Sequence, residues 1–195
     1  LVNECYGAIV TGNTIRELVA SDYSSNTTMV TITGGSGNSA SGNTISDRGD
    51  AVFGISCTSP GTAITGNTFG HNRPRQAIVI DTAALRSVAT ANEIADTDDT
   101  TAAYCIDAKA ADVTVDGNYI LHQSAVINAY GLRIGADRVR ASKNRITAQR
   151  GINVASGTGS VVEDNDLAQV TTTTYVSNTG TSTVIRRNTG YITEN

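Results

Sequence analysis

Two carboxylates at equivalent points of a repeating phrase, Asp81 after Ile80 and Asp107 after Ile106, are the residues best suited to chemistry. If those phrases stack as neighbouring parallel strands, the two side chains stand about 4.8 Å apart in one solvent-facing column. Repulsion between them raises one pKa and leaves an acid beside a base. Such a pair suits cleavage of a glycosidic bond, and a separation of about 5 Å favours a retaining reaction. Arg133, one coil on in the adjacent column, and Lys109, two residues past Asp107, are placed to bind an acidic sugar. Tyr130 and Tyr175 offer rings that stack on sugar faces. The basic stretch His71-Asn72-Arg73-Pro74-Arg75 adds Arg73 and Arg75 as substrate-binding candidates. Asp96, Asp98 and Asp99 could bring a further carboxylate or supply oxygen ligands to Ca²⁺. Set against all of these is a plain solvated face, on which outward Asp residues need no role.

The elements that must hold these residues come from a repeat. One phrase recurs, an apolar residue followed by Gly, Ala, Lys or another turn former, then Asn, then a strand. Its Asn residues are Asn13, Asn43, Asn67, Asn92, Asn118, Asn144, Asn165 and Asn188. The steps between them are 30, 24, 25, 26, 26, 21 and 23 residues, an average of 25. A unit this short cannot bury its own apolar face, so it stacks on its neighbours. A second phrase precedes the later Asn residues, as in Ile78-Val79-Ile80 and Leu132-Arg133-Ile134, and alternates with period two.

Aligning these phrases on their first apolar residue predicts two inward columns. One is Val30/Phe53/Ile78/Tyr104/Leu132/Ile152/Thr174, which makes Tyr104 a core residue. The other is Ile32/Ile55/Ile80/Ile106/Ile134/Val154/Val176, β-branched throughout. An aliphatic ladder of one shape favours parallel, in-register stacking. The Asn residues are structural, because Asn tolerates the left-handed backbone of a tight turn and stacked amides bond to one another. Length varies on one side only, so 16–28, 95–103 and 121–130 should project as loops over one flank. The fold expected is all-β: a single-stranded right-handed parallel β-helix of about eight coils of ~25 residues, one domain spanning 1–195.

Bulk properties bound the function. The 195 residues are 39% hydrophobic, 16% charged and 5% aromatic, without Trp. That composition suits an extracellular or virion surface rather than a charge-laced helical protein. A net charge of −4 leaves no basic footprint for nucleic acid. No apolar run is long enough to span a membrane as a helix. Cys5, Cys57 and Cys105 have no metal-ligand spacing and read as small buried apolar residues. The chain starts in mid-pattern, as expected of a segment excised from a longer protein.

With its Gly-Asn-Thr-Ile phrases and 25-residue step, the chain resembles the pectin-lyase-like right-handed parallel β-helix superfamily. That group includes polysaccharide lyases, polygalacturonase-type hydrolases, alginate epimerases and phage tailspikes. The closing Ile185-Arg186-Arg187-Asn188-Thr189-Gly190 and the residues to Asn195 are similar to the end of β-helix domains in phage-type surface proteins. The resemblance implies a polysaccharide or cell-surface glycan as partner, no cofactor, and a homotrimer on the tailspike branch. It transfers no catalytic residue. The Gly-His-Gly and Arg-Ile-Lys signatures of the hydrolases are missing, His71 and His122 lie in other contexts, and the stretch 47–53 lacks their paired Asp.

Three functions stay open on this reading. The first is a glycan-recognising β-helix of a tailspike-like or surface-appendage protein, with or without depolymerase activity. The second is a secreted bacterial polysaccharide lyase, hydrolase or epimerase, and the third is a structural shaft without a site.

Overall fold

A computed structural model describes residues 2–3, 6–16, 28–46, 53–70, 76–96, 104–122, 129–172 and 174–190. The chain is an all-β parallel solenoid with three sheets. The first sheet holds eight strands, among them Thr28–Thr33, Phe53–Cys57, Gln76–Ile80, Tyr104–Ala108, Tyr130–Ile134 and Arg150–Val154. The second also has eight, running from Ile9–Thr11 to Val184–Arg186. The third has six, from Thr14–Arg16 to Arg145–Thr147. About five turns contribute full strands to all three sheets, and partial turns flank them. Every strand pair is parallel and joins one coil to the next, for example Val88 beside Thr114 and Ala63.

Four inward rows fill the axis. The second sheet supplies Ala40, Ile64, Ala89, Val115, Ala141 and Val162. The third supplies Ile45, Phe69, Ile94, Ile120 and Ile146. The first sheet supplies two rows, and their register differs from the expected columns. Val30, Ile55, Ile78, Ile106, Leu132, Ile152 and Val176 form one row. Ile32, Cys57, Ile80, Ala108, Ile134 and Val154 form the other. Strands 53–57, 104–108 and 176–178 are therefore shifted by two residues from the alignment on first apolar residues.

The reason lies in the residue before each of these rows. Gly54 and Gly131 sit where a side chain would meet the third sheet, and Ala77, Cys105 and Gly151 share their register position. A Cβ on Gly54 would lie 2.7 Å from the Phe69 ring, and one on Gly131 would strike Ile146. Two consecutive inward residues, one of them small, thus mark the bend into the first sheet. Phe53, Gln76, Tyr104, Tyr130 and Arg150 precede them and share one register position. Cys57 and Cys105 are buried free thiols, as expected, and burial raises the Cys57 pKa. Cys5 lies outside the described residues.

Each corner between the second and third sheets is tied by its Asn. Asn92 Oδ1 accepts from the backbone N–H and the Nδ2 of Asn67, both at 3.0 Å. Asn92 Nδ2 donates to the Ile64 carbonyl at 3.0 Å. The same three bonds recur from Asn43 to Asn188. The left-handed backbone belongs to the residue before the Asn, not to the Asn itself: Gly66 has φ 60° and Ala91 φ 53°. A second left-handed column, including Gly61, Arg86 and Asp112, turns the first sheet into the second.

Two stability predictions follow from these corners. Asn118→Ala strands the N–H and Nδ2 of Asn92 and the Ala89 carbonyl, all buried partners. Urea unfolding followed by circular dichroism should show a loss of roughly 3 kcal/mol, against under about 1 kcal/mol for Asn13→Ala in the exposed first coil. Ala91→Gly should raise stability by about 1 kcal/mol, because the left-handed penalty is removed.

Candidate functional site

The outer face of the first sheet carries the chemistry-bearing residues. At the first outward position stand Gln76, Tyr104, Tyr130 and Arg150 on successive coils. At the next outward position stand Ser56, Val79, Asp107, Arg133 and Asn153. Parallel register places like positions about 4.8 Å apart, so each row runs along the solenoid axis.

The first row forms an aromatic stack. The Tyr104 and Tyr130 rings lie 6.1 Å apart at 24°. The Arg133 guanidinium lies over Tyr104 at 5.3 Å and that of Arg150 over Tyr130 at 5.4 Å. Arg150 Nη1 also donates to the Tyr130 hydroxyl at 3.0 Å. Tyr130 is buried and Tyr104 is half-exposed, so the stack presents one accessible ring.

Asp107 anchors the second row. Its Oδ2 lies 3.3 Å from Arg133 Nη1 and 3.6 Å from Lys109 Nζ. Though it points away from the axis, its side chain is only 2% exposed. Burial pushes its carboxyl above the ordinary carboxylate range, and attraction to Arg133 and Lys109 only partly opposes that. Val79, beside it, is buried as well and stands apart from the axial core. The centre of this face, at Val79, Asp107 and Tyr130, is therefore buried, whereas Ser56, Gln76, Tyr104, Arg133 and Arg150 around it stay partly exposed.

The expected pairing of Asp81 with Asp107 is not formed. Val79 is the register neighbour of Asp107, and Ile80 lies beside Ala108, which sets Asp81 level with Lys109. Asp81 opens a turn instead: its Oδ1 accepts from the Thr82 N–H at 2.7 Å and its carbonyl from the Ala84 N–H at 2.8 Å. The two-residue shift of strand 104–108 causes the change. With Val79 on one side and Arg133 on the other, Asp107 has no adjacent carboxylate in its row, and the retaining-type dyad drops out.

Arg133 and Lys109 come together as expected, but both are tied to Asp107. Tyr130 lies on the outer face. Tyr175 does not; it aligns with the inward Gly151 and packs against the core. Tyr104, read from sequence as core, is an outer-face residue. The small residue that follows it, Cys105, parallel to Gly131 after Tyr130, is the signal that would have set this register. Arg73, Arg75, Asp98 and Asp99 lie outside the described residues. Asp96 ends the strand Glu93–Asp96, and its side chain is not described. Among the described residues no group of three or more His, Cys, Asp or Glu is arranged to hold a metal, and no helix is long and apolar enough to cross a membrane.

The Tyr row stands at the entrance of each first-sheet strand. Segments 17–27, 47–52, 71–75, 97–103 and 123–128 join a third-sheet strand to the next first-sheet strand and lie outside the described residues. Variation in length is thus concentrated in the links from the third sheet to the first. No protein-family model, curated protein or solved structure matches this chain.

The raised Asp107 carboxyl has a pH signature. Its proton is held more tightly in the folded than in the unfolded chain, so wild-type stability falls relative to an uncharged variant as pH rises between the two pKa values. The stability of Asp107→Asn minus that of wild type, from urea midpoints between about pH 3 and 7, should therefore increase with pH. Parallel curves would place Asp107 in the ordinary range.

Proposed function

We propose that this chain is a right-handed, pectin-lyase-like β-helix whose first-sheet outer face recognises a glycan, as in a tailspike-like or other extracellular or virion-surface appendage. The observation that carries the reading is the Tyr104–Tyr130 stack capped by Arg133 and Arg150 beside Asp107. A pyranose ring has an apolar face that packs on an aromatic ring and hydroxyls that bond to charged side chains. Lys109, Arg133 and Arg150 outnumber the two carboxylates, Asp107 and the Asp81 that stands level with Lys109, among the described residues of this patch. That excess favours a glycan with acidic groups. The right-handed winding accords with the strong chiral preference of parallel crossovers.

Depolymerase activity is a second reading, favoured by the burial and raised pKa of Asp107. It would use Asp107 as a proton donor without Asp81 as its partner. A secreted lyase, hydrolase or epimerase would need the same group, whereas a bare shaft would need neither the stack nor the cations.

A glycan array followed by calorimetry tests the first reading. Wild type should bind an acidic oligosaccharide, and Tyr104→Ala should weaken that binding about ten-fold, on the order of 1 kcal/mol, while Tyr104→Phe retains it. Undiminished binding by Tyr104→Ala would place the site elsewhere. Product analysis by mass spectrometry separates binder from enzyme, since a cleaving protein should lose its products in Asp107→Asn.

A further inference from the structure

Arg133 is held differently from other arginines that pair with a carboxylate one coil away. Arg138, Arg186 and Arg187 each donate from Nε to their carboxylate, at 2.6, 2.8 and 2.7 Å, and add a contact from Nη2 to the same group. That two-pronged grip is the strong form of an arginine–carboxylate pair. Arg133 spans the same one-coil step to Asp107, yet it offers only Nη1, 3.3 Å from Oδ2 and 3.5 Å from Oδ1. Its Nε is enclosed and has no hydrogen-bond partner among the described residues. The guanidinium lies over the Tyr104 ring instead of closing on the acid.

The acid and its cations also differ in access. Asp107 is 2% exposed, whereas Arg133 and Lys109 keep 31% and 32% of their side chains open. An anion arriving from solvent therefore meets the cations and not the carboxylate. Neither cation is saturated by Asp107, because the Lys109 contact is long as well, at 3.6 Å.

The charged and titratable groups described around Asp107 come from three coils. Arg133 and Tyr130 lie on the next coil, with Arg150 beyond them, and Lys109 and Tyr104 lie on its own. Asp81 stands level with Lys109 on the coil before, where Val79 faces Asp107 without a charge. His122, the one histidine among the described residues, ends a strand of the third sheet.

We propose that Arg133 is shared between Asp107 and the carboxylate of a bound acidic sugar, so that binding draws Arg133 off Asp107 and Asp107 takes up a proton from solvent. As the guanidinium turns outward, Nε joins Nη2 in a fork on the sugar carboxylate. The Tyr104 face that it covered becomes available to the pyranose ring. The inference rests on the glycan-binding reading and adds the regulation of that site.

The direction of the pH effect follows from burial. An enclosed carboxylate that loses its nearest cation and gains a neighbouring anion is harder to ionise, so Asp107 holds its proton more tightly in the complex than in the free protein. Burial already raises its carboxyl, and Arg133 is the leading attraction that opposes the rise. Affinity is then highest in acid and falls as pH rises from the free-protein pKa to that of the complex. A sugar carboxylate itself stays ionised above about pH 4.

Nuclear magnetic resonance titration of the isotope-labelled chain with methyl β-D-glucuronide, and separately with neutral methyl β-D-glucoside, tests this between about pH 4.5 and 8. The glucuronide should bind about ten-fold more tightly at the acid end, and the carboxyl carbon of Asp107 should titrate at higher pH in its presence. Asp107→Asn should bind it at every pH as wild type does in acid, and Arg133→Gln should not distinguish it from the glucoside. A wild-type affinity that is flat with pH, which needs no variant to measure, would overturn the proposal, as would weaker binding by Asp107→Asn. Equal binding of the two sugars by wild type would overturn it and leave the glycan reading standing. Resonances of the Tyr104–Tyr130 face that respond to neither sugar would overturn both.

Discussion

The buried Asn ladder is the interaction on which the rest of the structure depends. Each amide satisfies a backbone N–H, a neighbouring amide and a carbonyl of an adjacent coil, with the side chain almost fully enclosed. An unpaired amide in that position costs about 1–3 kcal/mol, so a coil that slips by one residue breaks several bonds at once. The ladder thereby sets the register of the second and third sheets. Aliphatic burial supplies most of the driving force, yet aliphatic rows alone tolerate a shift of two residues, because the same face stays inward. Directional bonds at the corner remove that freedom.

The first sheet is farther from this constraint and is registered by packing. Phe69 and Ile146 leave room for only small residues at positions 54 and 131. Where the small residue sits, the aliphatic rows follow, and the outward residues follow them. The same steric limit that turns the chain into this sheet brings Tyr104 beside Tyr130 and Arg133 beside Asp107. The candidate site is thus a consequence of core geometry. Its electrostatics have the same origin, since the layer that encloses Asp107 also raises its carboxyl pKa.

Ion pairs elsewhere serve the coils near the end of the ladder. Glu163 is contacted by Arg140, Arg186 and Arg187 at 2.7, 2.7 and 3.0 Å. Hydrogen bonding from Arg186 leads the effects that hold its carboxyl below the ordinary range. Arg186 and Arg187 lie in the final strand and corner, so they bind that coil to the one before. Exposed ion pairs contribute modestly, but here three half-exposed arginines converge on one buried carboxylate.

How much of this was legible in the sequence differs by level. The 25-residue step of Asn residues and the period-two aliphatic phrases determined a parallel solenoid, because no single unit could bury those residues alone and no helical pattern competed. The role of the Asn residues as a ladder was equally readable from their spacing. The register of the first sheet was not, because Tyr104-Cys105-Ile106 and Ile78-Val79-Ile80 both present apolar residues two apart, and either alignment keeps one face inward. The register adopted is the one that sets the small residues Gly54, Ala77, Cys105, Gly131 and Gly151 at one position, where Phe69 and Ile146 crowd 54 and 131. That choice separated Asp81 from Asp107, moved Tyr104 from the core to the outer face, and sent Tyr175 inward. The repeating pattern along the chain decided that coils stack; steric contact between sheets decided which side chains meet.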